Sequence, residues 1–354
     1  MKKEKFFKIA APVALLSTAV IWGVAFVVVK QSLDSIPPIY MLALRFTVAA
    51  VTLALIFIPK MKKLNKKTWL HGLIVGVLLF GAYLTQTIGA KYTTAGNSAF
   101  LTAFYVVLVP LLSALFFRRK PDLLDIICAV VAIIAIGLMS LSSFTFNIGD
   151  ALTLLCSVFF AVHIIALSVF TKKDDICMLT MLQFLFAAAI SWILAPIFEK
   201  APSFSSLSGE MLWNILFLGV MSSGVAYLFQ SFGQKYANAA AAAVLLSTES
   251  VFGALFGWLL LNETMRPVAI VGAALMFAAI VTGQTRLSFI PKLGKFFDKP
   301  PEESATAIKN AAPKKNPAAK QNLSDKENGP GDVSSPEAEE QGVKDAADSS
   351  AENR

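Results

Sequence analysis

Ten apolar runs, each long enough to cross a bilayer, decide what this 354-residue chain can become. They lie near 12–30, 38–58, 69–90, 95–117 and 123–141, then 149–170, 177–198, 211–233, 238–261 and 267–285. A helix of about 20 apolar residues crosses the ~30 Å hydrocarbon core with its backbone amides bonded within itself, which an open strand there cannot do. The chain is 56% hydrophobic and only 15% charged, whereas soluble domains carry about a quarter charged residues. That balance excludes a soluble enzyme and a nucleic-acid-binding module. It points to an all-α membrane protein with ten transmembrane helices set in a lipid bilayer.

The first run follows Lys2, Lys3, Lys5 and Lys8, as the apolar part of a secretory leader would. It is too long for such a segment and lacks a small-x-small cleavage site, so it reads as the first span. Basic residues then mark alternate connections. Lys60, Lys62, Lys63, Lys66 and Lys67 follow the second run, Arg118, Arg119 and Lys120 the fourth, and Lys172 and Lys173 the sixth. With the N-terminus inside, the inner set holds 15 Lys and Arg, against Lys30, Lys91, Lys200 and Arg266 outside. Positive residues stay on the cytoplasmic side, so both termini are expected in the cytoplasm of a multi-pass cell-membrane protein. From 286 to 354 the pattern stops. This stretch has 11 Lys and Arg against 12 Asp and Glu and almost no large apolar residue. It is expected to be a disordered cytoplasmic tail, because it cannot bury enough surface to offset the entropy of ordering.

A second feature is self-similarity at a constant offset of 144 residues. YLTQTIGAKYTTAGNSAFL, starting at Tyr83, aligns with YLFQSFGQKYANAAAAAVL, starting at Tyr227. Tyr83/Tyr227, Gln86/Gln230, Gly89/Gly233, Lys91/Lys235 and Tyr92/Tyr236 coincide. Shared Leu and Ala are common in apolar helices, but shared Tyr, Gln, Gly and Lys are not. Lys91 falls outside and Lys235 inside. Five helices per half is an odd number, so the second half enters the membrane upside down. The expected architecture is therefore two inverted five-helix repeats, 12–141 and 149–285, as in secondary transporters that hold a substrate site where the halves meet near the midplane.

TAGNSAFLTAFYVVLVPLLSALFFRRKP and STESVFGALFGWLLLNETMRPVAIVGAALMF resemble the two EamA-type halves of the drug/metabolite transporter superfamily. ALRF at 43–46 and the Trp22-Gly23 pair fit as well, and the likeness covers 12–285. The sequence departs from the family pattern at Phe117-Arg118-Arg119-Lys120, where Gly-Glu is common. It departs again at Glu249-Ser250, where Glu-Pro is common, while Asn262-Glu263 keeps the glutamate. The resemblance implies a ten-helix permease that carries small metabolites or drugs without ATP, often outward. It transfers no defined set of binding residues.

Candidate site residues follow from the cost of burying charge. An ionised side chain at membrane depth costs about 2.5 kcal/mol or more, so it is a functional candidate by default. Two lie well inside a span. By the 1.5 Å helical rise, Arg45 sits about 10 Å below the outer edge and Glu249 about 16 Å above the inner edge. Either they form a permanent pair locking two helices, or Glu249 handles a proton or cationic solute while Arg45 meets an anionic one. Burial favours the neutral acid and a nearby guanidinium the carboxylate, so proton coupling needs a state in which the partner moves away. His163 is either a packing residue or part of a proton relay, and His71 reads as interfacial. Tyr83, Gln86, Tyr227 and Gln230 offer aromatic faces and amides suited to a small organic ligand, or to hydrogen bonds between helices. Trp22 and Asn97 are further pocket candidates, with Ser98 beside Asn97. The small residues at 95–99 and 239–243, and Gly253-xxx-Gly257, are expected to let helices pack closely within the fold rather than to form a dimer seam.

Cys128, Cys156 and Cys177 have no metal-ligand or disulfide spacing, and no nucleotide-binding or hydrolase motif occurs. No cofactor, metal or enzymatic activity is expected. The expected function is alternating-access transport of a small organic metabolite or drug without ATP drive, for which no residue motif is present, with export implied by the family resemblance and protons a candidate coupling ion. The alternative is a lipid-handling or sensor protein of the same fold. The sequence specifies no substrate, coupling ion or oligomeric state.

Overall fold

Asparagine, threonine, serine and aspartate side chains start six of the helices in the computed structural model, which describes residues 2–118, 123–140, 147–203 and 208–263 with scattered positions between 267 and 282. The helices are α1 (Lys2–Ser32), α2 (Pro38–Phe57), α3 (Lys66–Ala90), α4 (Ala95–Thr102), α5 (Tyr105–Phe117) and α6 (Leu123–Ser140). They continue as α7 (Ile148–Phe170), α8 (Ile176–Phe198), α9 (Gly209–Leu216), a π-helical stretch Phe217–Val225, α10 (Ala226–Tyr236), α11 (Ala239–Leu246) and α12 (Glu249–Leu261). All of these lie in the compact unit spanning 1–299. No strand occurs among the described residues.

Among the described residues, eight helices or helix pairs are long and apolar enough to cross a membrane. They correspond to the first four apolar runs and the sixth to the ninth. The fifth run forms α6, of which Ile126–Ala135 is the apolar part. The tenth lies largely outside the described residues, and the tail expected from 286 lies wholly outside them.

Local chemistry explains the boundaries. A side-chain acceptor at an N-cap satisfies amides that the first helical turn leaves unbonded. Asn65 accepts from the amides of Lys67 and Thr68, and Asn147 and Asp150 form a reciprocal capping box. Thr94 caps α4 through the Asn97 amide, and Asn238 caps α11 through the Ala241 amide. Those two caps are 144 positions apart. So are the left-handed residues closing α5 and α12, Arg118 at φ 51° and Asn262 at φ 53°. Asparagine tolerates this conformation better than most residues.

The interruptions inside these two spans also match. Phe104 N donates to Leu101 O, Val106 N to Ala103 O and Val107 N to Phe104 O. Thr248, Ser250 and Val251 make the corresponding bonds to Leu245, Ser247 and Thr248. Each is a tight three-residue bond in place of the α-helical four. Non-helical backbone at this depth is tolerated where it is buried in protein. In the second span Ser247, Thr248 and Ser250 hydroxyls also donate to Val244, Leu245 and Ser247 carbonyls.

Helix α2 packs on α8, α3 on both α7 and α8, and α1 on α10 and α12. Gly253 makes the approach of α12 to α4 possible: a Cβ there would lie 2.6 Å from that of Ala99. A Cβ on Gly23 would collide with Phe252 on the same helix. These small residues are thus spent on contacts within the molecule.

Candidate functional site

A cavity opens among α1, α2, α3, α4, α5, α7, α10 and α12 and the π-helical stretch. Trp22, Arg45, Tyr83, Gln86, Gln230 and Glu249 line it, together with Tyr105, Ser98 and Ser222. It is lined by Trp22 to Val29 on α1 and by Tyr83 to Ala90 on α3. At 1.5 Å per residue it extends about 10 Å from mid-bundle toward the end where both helices stop.

Arg45 is buried, and its partners are neutral. Nη2 donates to Ser222 Oγ at 3.1 Å and Nε to Ser223 Oγ at 3.3 Å. The guanidinium carbon lies 4.5 Å from the centroid of the Tyr83 ring, close enough for a cation–π attraction. The π-helical stretch places these serines. Wider than an α-helix and common at functional sites, it also leaves the Ser222 carbonyl to accept Trp22 Nε1–H at 3.0 Å. Trp22 and Tyr227 rings meet at 5.0 Å, and Tyr227 O–H donates to Tyr83 Oη at 3.2 Å.

Glu249 opens α12, immediately after the interruption, and is 3% exposed. Tyr105 O–H donates to its Oε1 at 2.8 Å. No salt bridge joins Arg45 to Glu249; the one His/Lys/Arg–carboxylate contact of that length among the described residues is His71–Asp174. Serines and an aromatic face satisfy the guanidinium, and a phenol satisfies the carboxyl, so the two groups line one cavity unjoined.

Other expectations separate. Gln86 lines the cavity with its Nε2 donating to Thr102 Oγ1 at 3.1 Å. His163 is packed outside the lining, with Nε2 3.1 Å from Gln183 Oε1 and its ring edge-on to Tyr227. Asn97 also lies outside it, and its neighbour Ser98 points in. His71 Nδ1 sits 2.6 Å from Asp174 Oδ2, near one end of α3, with 18% of its side chain exposed. Two glutamates cap helices from a distance. Glu199 receives the amides of Ile39 and Tyr40, and Glu263 those of Ala95 and Gly96, where the helix dipole favours an anion. Sequence reasoning missed Tyr105 and Ser222. Tyr105 could have been found, since it is the residue 144 positions before Glu249.

The fold and this site define a multi-pass helical membrane protein with a cavity lined by several of its helices. Comparison with known proteins then fixes its kinship. The EamA-like transporter family matches residues 10–141 and again 147–282, and the chain belongs to that family. It is 34% identical to an uncharacterized transporter of Archaeoglobus fulgidus over 79% of this chain and 87% of that protein. It is 24% identical to the uncharacterized transporter YoaV of Bacillus subtilis over 75% and 94% of the two chains. A solved crystal structure superposes with a TM-score of 0.64 at 18% identity, covering 78% of this chain and 96% of the other. That last likeness is one of fold alone.

Proposed function

We propose that this drug/metabolite-type transporter exports a small organic solute across the cell membrane by alternating access, using ten helices arranged as two inverted repeats, 12–141 and 149–285. Both termini are cytoplasmic, as the basic loops favour. In that orientation the cavity approaches the outer face. The observation that carries the reading is the cavity itself: it holds Arg45 and Glu249 without an ion pair between them. Contacts between residues 144 positions apart, Tyr83 with Tyr227 and Tyr105 with Glu249, support a site at the junction of two related halves. Alternating access moves such a junction between two packings.

In this mechanism a cationic group of the solute or a proton occupies Glu249, and an anionic group meets Arg45. Trp22 and Tyr83 supply apolar faces. Gradient-driven exchange then replaces ATP. Purified protein in liposomes holding a pH dye tests the proposal against a panel of amino acids and cationic drugs. Solute counterflow with a coupled proton flux, lost in Glu249→Gln, is expected. Counterflow without a proton signal would remove the coupling role of Glu249. No counterflow with any solute would favour the lipid-handling or sensor alternative.

A further inference from the structure

Around the cavity the two halves differ chemically, and the difference leaves acceptors unused. In the first half Gln86 is tied to Thr102. At the offset of 144, Gln86 corresponds to Gln230, but Thr102 corresponds to Leu246, which cannot accept a hydrogen bond. Gln230 is 1% exposed, lines the cavity, and its Oε1 has no hydrogen-bond partner. Ser98 is fully buried, lines the same cavity, and its Oγ is also unpartnered. The corresponding residue in the second half is Ala242. Glu249, whose counterpart is Tyr105, adds a carboxyl to the same lining.

An amide oxygen and a carboxylate only accept hydrogen bonds, and a serine hydroxyl can. Buried acceptors left unpaired are unfavourable, so a ligand that brings donors gains from the Gln230 and Ser98 oxygens. The Glu249 carboxyl, which already accepts from Tyr105, adds a further acceptor beside them. The aromatic walls attract any cation, quaternary or not. Discrimination therefore falls to the acceptors. We propose that Gln230, Ser98 and Glu249 form a subsite for a primary ammonium group, so that the protein prefers an N–H-bearing amine to its quaternary analogue. This rests on the transport reading above and names the class of solute group the cavity takes.

Binding is measured on the full chain in nanodiscs, independent of turnover, with phenethylamine and its N,N,N-trimethyl derivative. The primary amine is expected to bind about tenfold more tightly, a difference of about 1.4 kcal/mol. Gln230→Leu and Ser98→Ala should each shrink that ratio severalfold, and Glu249→Gln should weaken both ligands. Leu246→Thr gives Gln230 the partner that Gln86 has and should also lower the ratio, which keeps the test open if Gln230→Leu fails to fold. Equal binding of the two amines, binding of neither, or a ratio unmoved by the folded variants overturns the subsite. Counterflow of other solutes without amine preference removes the subsite and leaves the transport reading standing. Amine preference without counterflow of any solute does the reverse.

Discussion

Tyr83 and Tyr227, 144 residues apart, meet hydroxyl to hydroxyl at 3.2 Å. Tyr83 also lies under the Arg45 guanidinium, and Tyr227 against Trp22, so the pair joins the walls of the cavity. A net hydrogen bond of this kind contributes about 0.5–1.5 kcal/mol. Tyr83→Phe and Tyr227→Phe should each destabilise by about that much, and the double variant by little more, because either change removes the same bond. Unfolding midpoints of the three variants in detergent check the non-additivity.

Glu249→Gln should leave the protein folded. Removing one partner of a buried ion pair costs about 3–5 kcal/mol, but Glu249 has a phenol as its partner. Glutamine keeps an oxygen for Tyr105 to donate to, so the expected loss is below about 1.5 kcal/mol. A loss above about 3 kcal/mol would show that Arg45 and Glu249 depend on each other electrostatically.

Arg45→Lys should abolish most solute flux without unfolding the protein. An ammonium cannot reproduce the fork that reaches Ser222 and Ser223 or the stacking on Tyr83. Flux in liposomes is expected to fall by about tenfold or more, the equivalent of one charge-assisted hydrogen bond. Full flux in Arg45→Lys would make the residue a plain positive charge.

Gly253→Val should separate α12 from α4. A Cβ there already meets Ala99 at 2.6 Å, and overpacking costs about 1–3 kcal/mol. Gly209→Val is the control, since nothing lies within 4 Å of a Cβ at that position. Size-exclusion profiles and melting temperatures should be disturbed for the first and near wild type for the second.

His163→Gln should retain flux within about threefold, because the residue lies outside the cavity lining and glutamine can still bond to Gln183. An unchanged pH profile of flux is expected. A changed profile would return His163 to a proton path.

Eight of the ten expected spans were legible from length and hydropathy alone, and Arg45 and Glu249 stood out because buried charge is rare in a bilayer. Helix interruptions were not legible. Phe104 and Thr248 carry no strong breaking signal, and nothing in FLGVMSSGV announces a π-helix. The side of a helix on which a polar residue falls was equally hidden when apolar residues surround it. Asn97 and Ser98 are neighbours, yet only Ser98 reaches the cavity. Which of the two readings of Arg45 and Glu249 holds in this structure was not legible either, because serines, weak markers in a sequence, are the partners of the guanidinium.

The contact between Tyr105 and Glu249 says something about how such a chain can arise. Two identical copies of the first half would set phenol against phenol at this point, and two copies of the second would set carboxyl against carboxyl, a like-charge clash. Two halves that differ at this position oppose a donor to an acid instead. Exchanging either half for a second copy of the other would therefore remove this donor–acid contact.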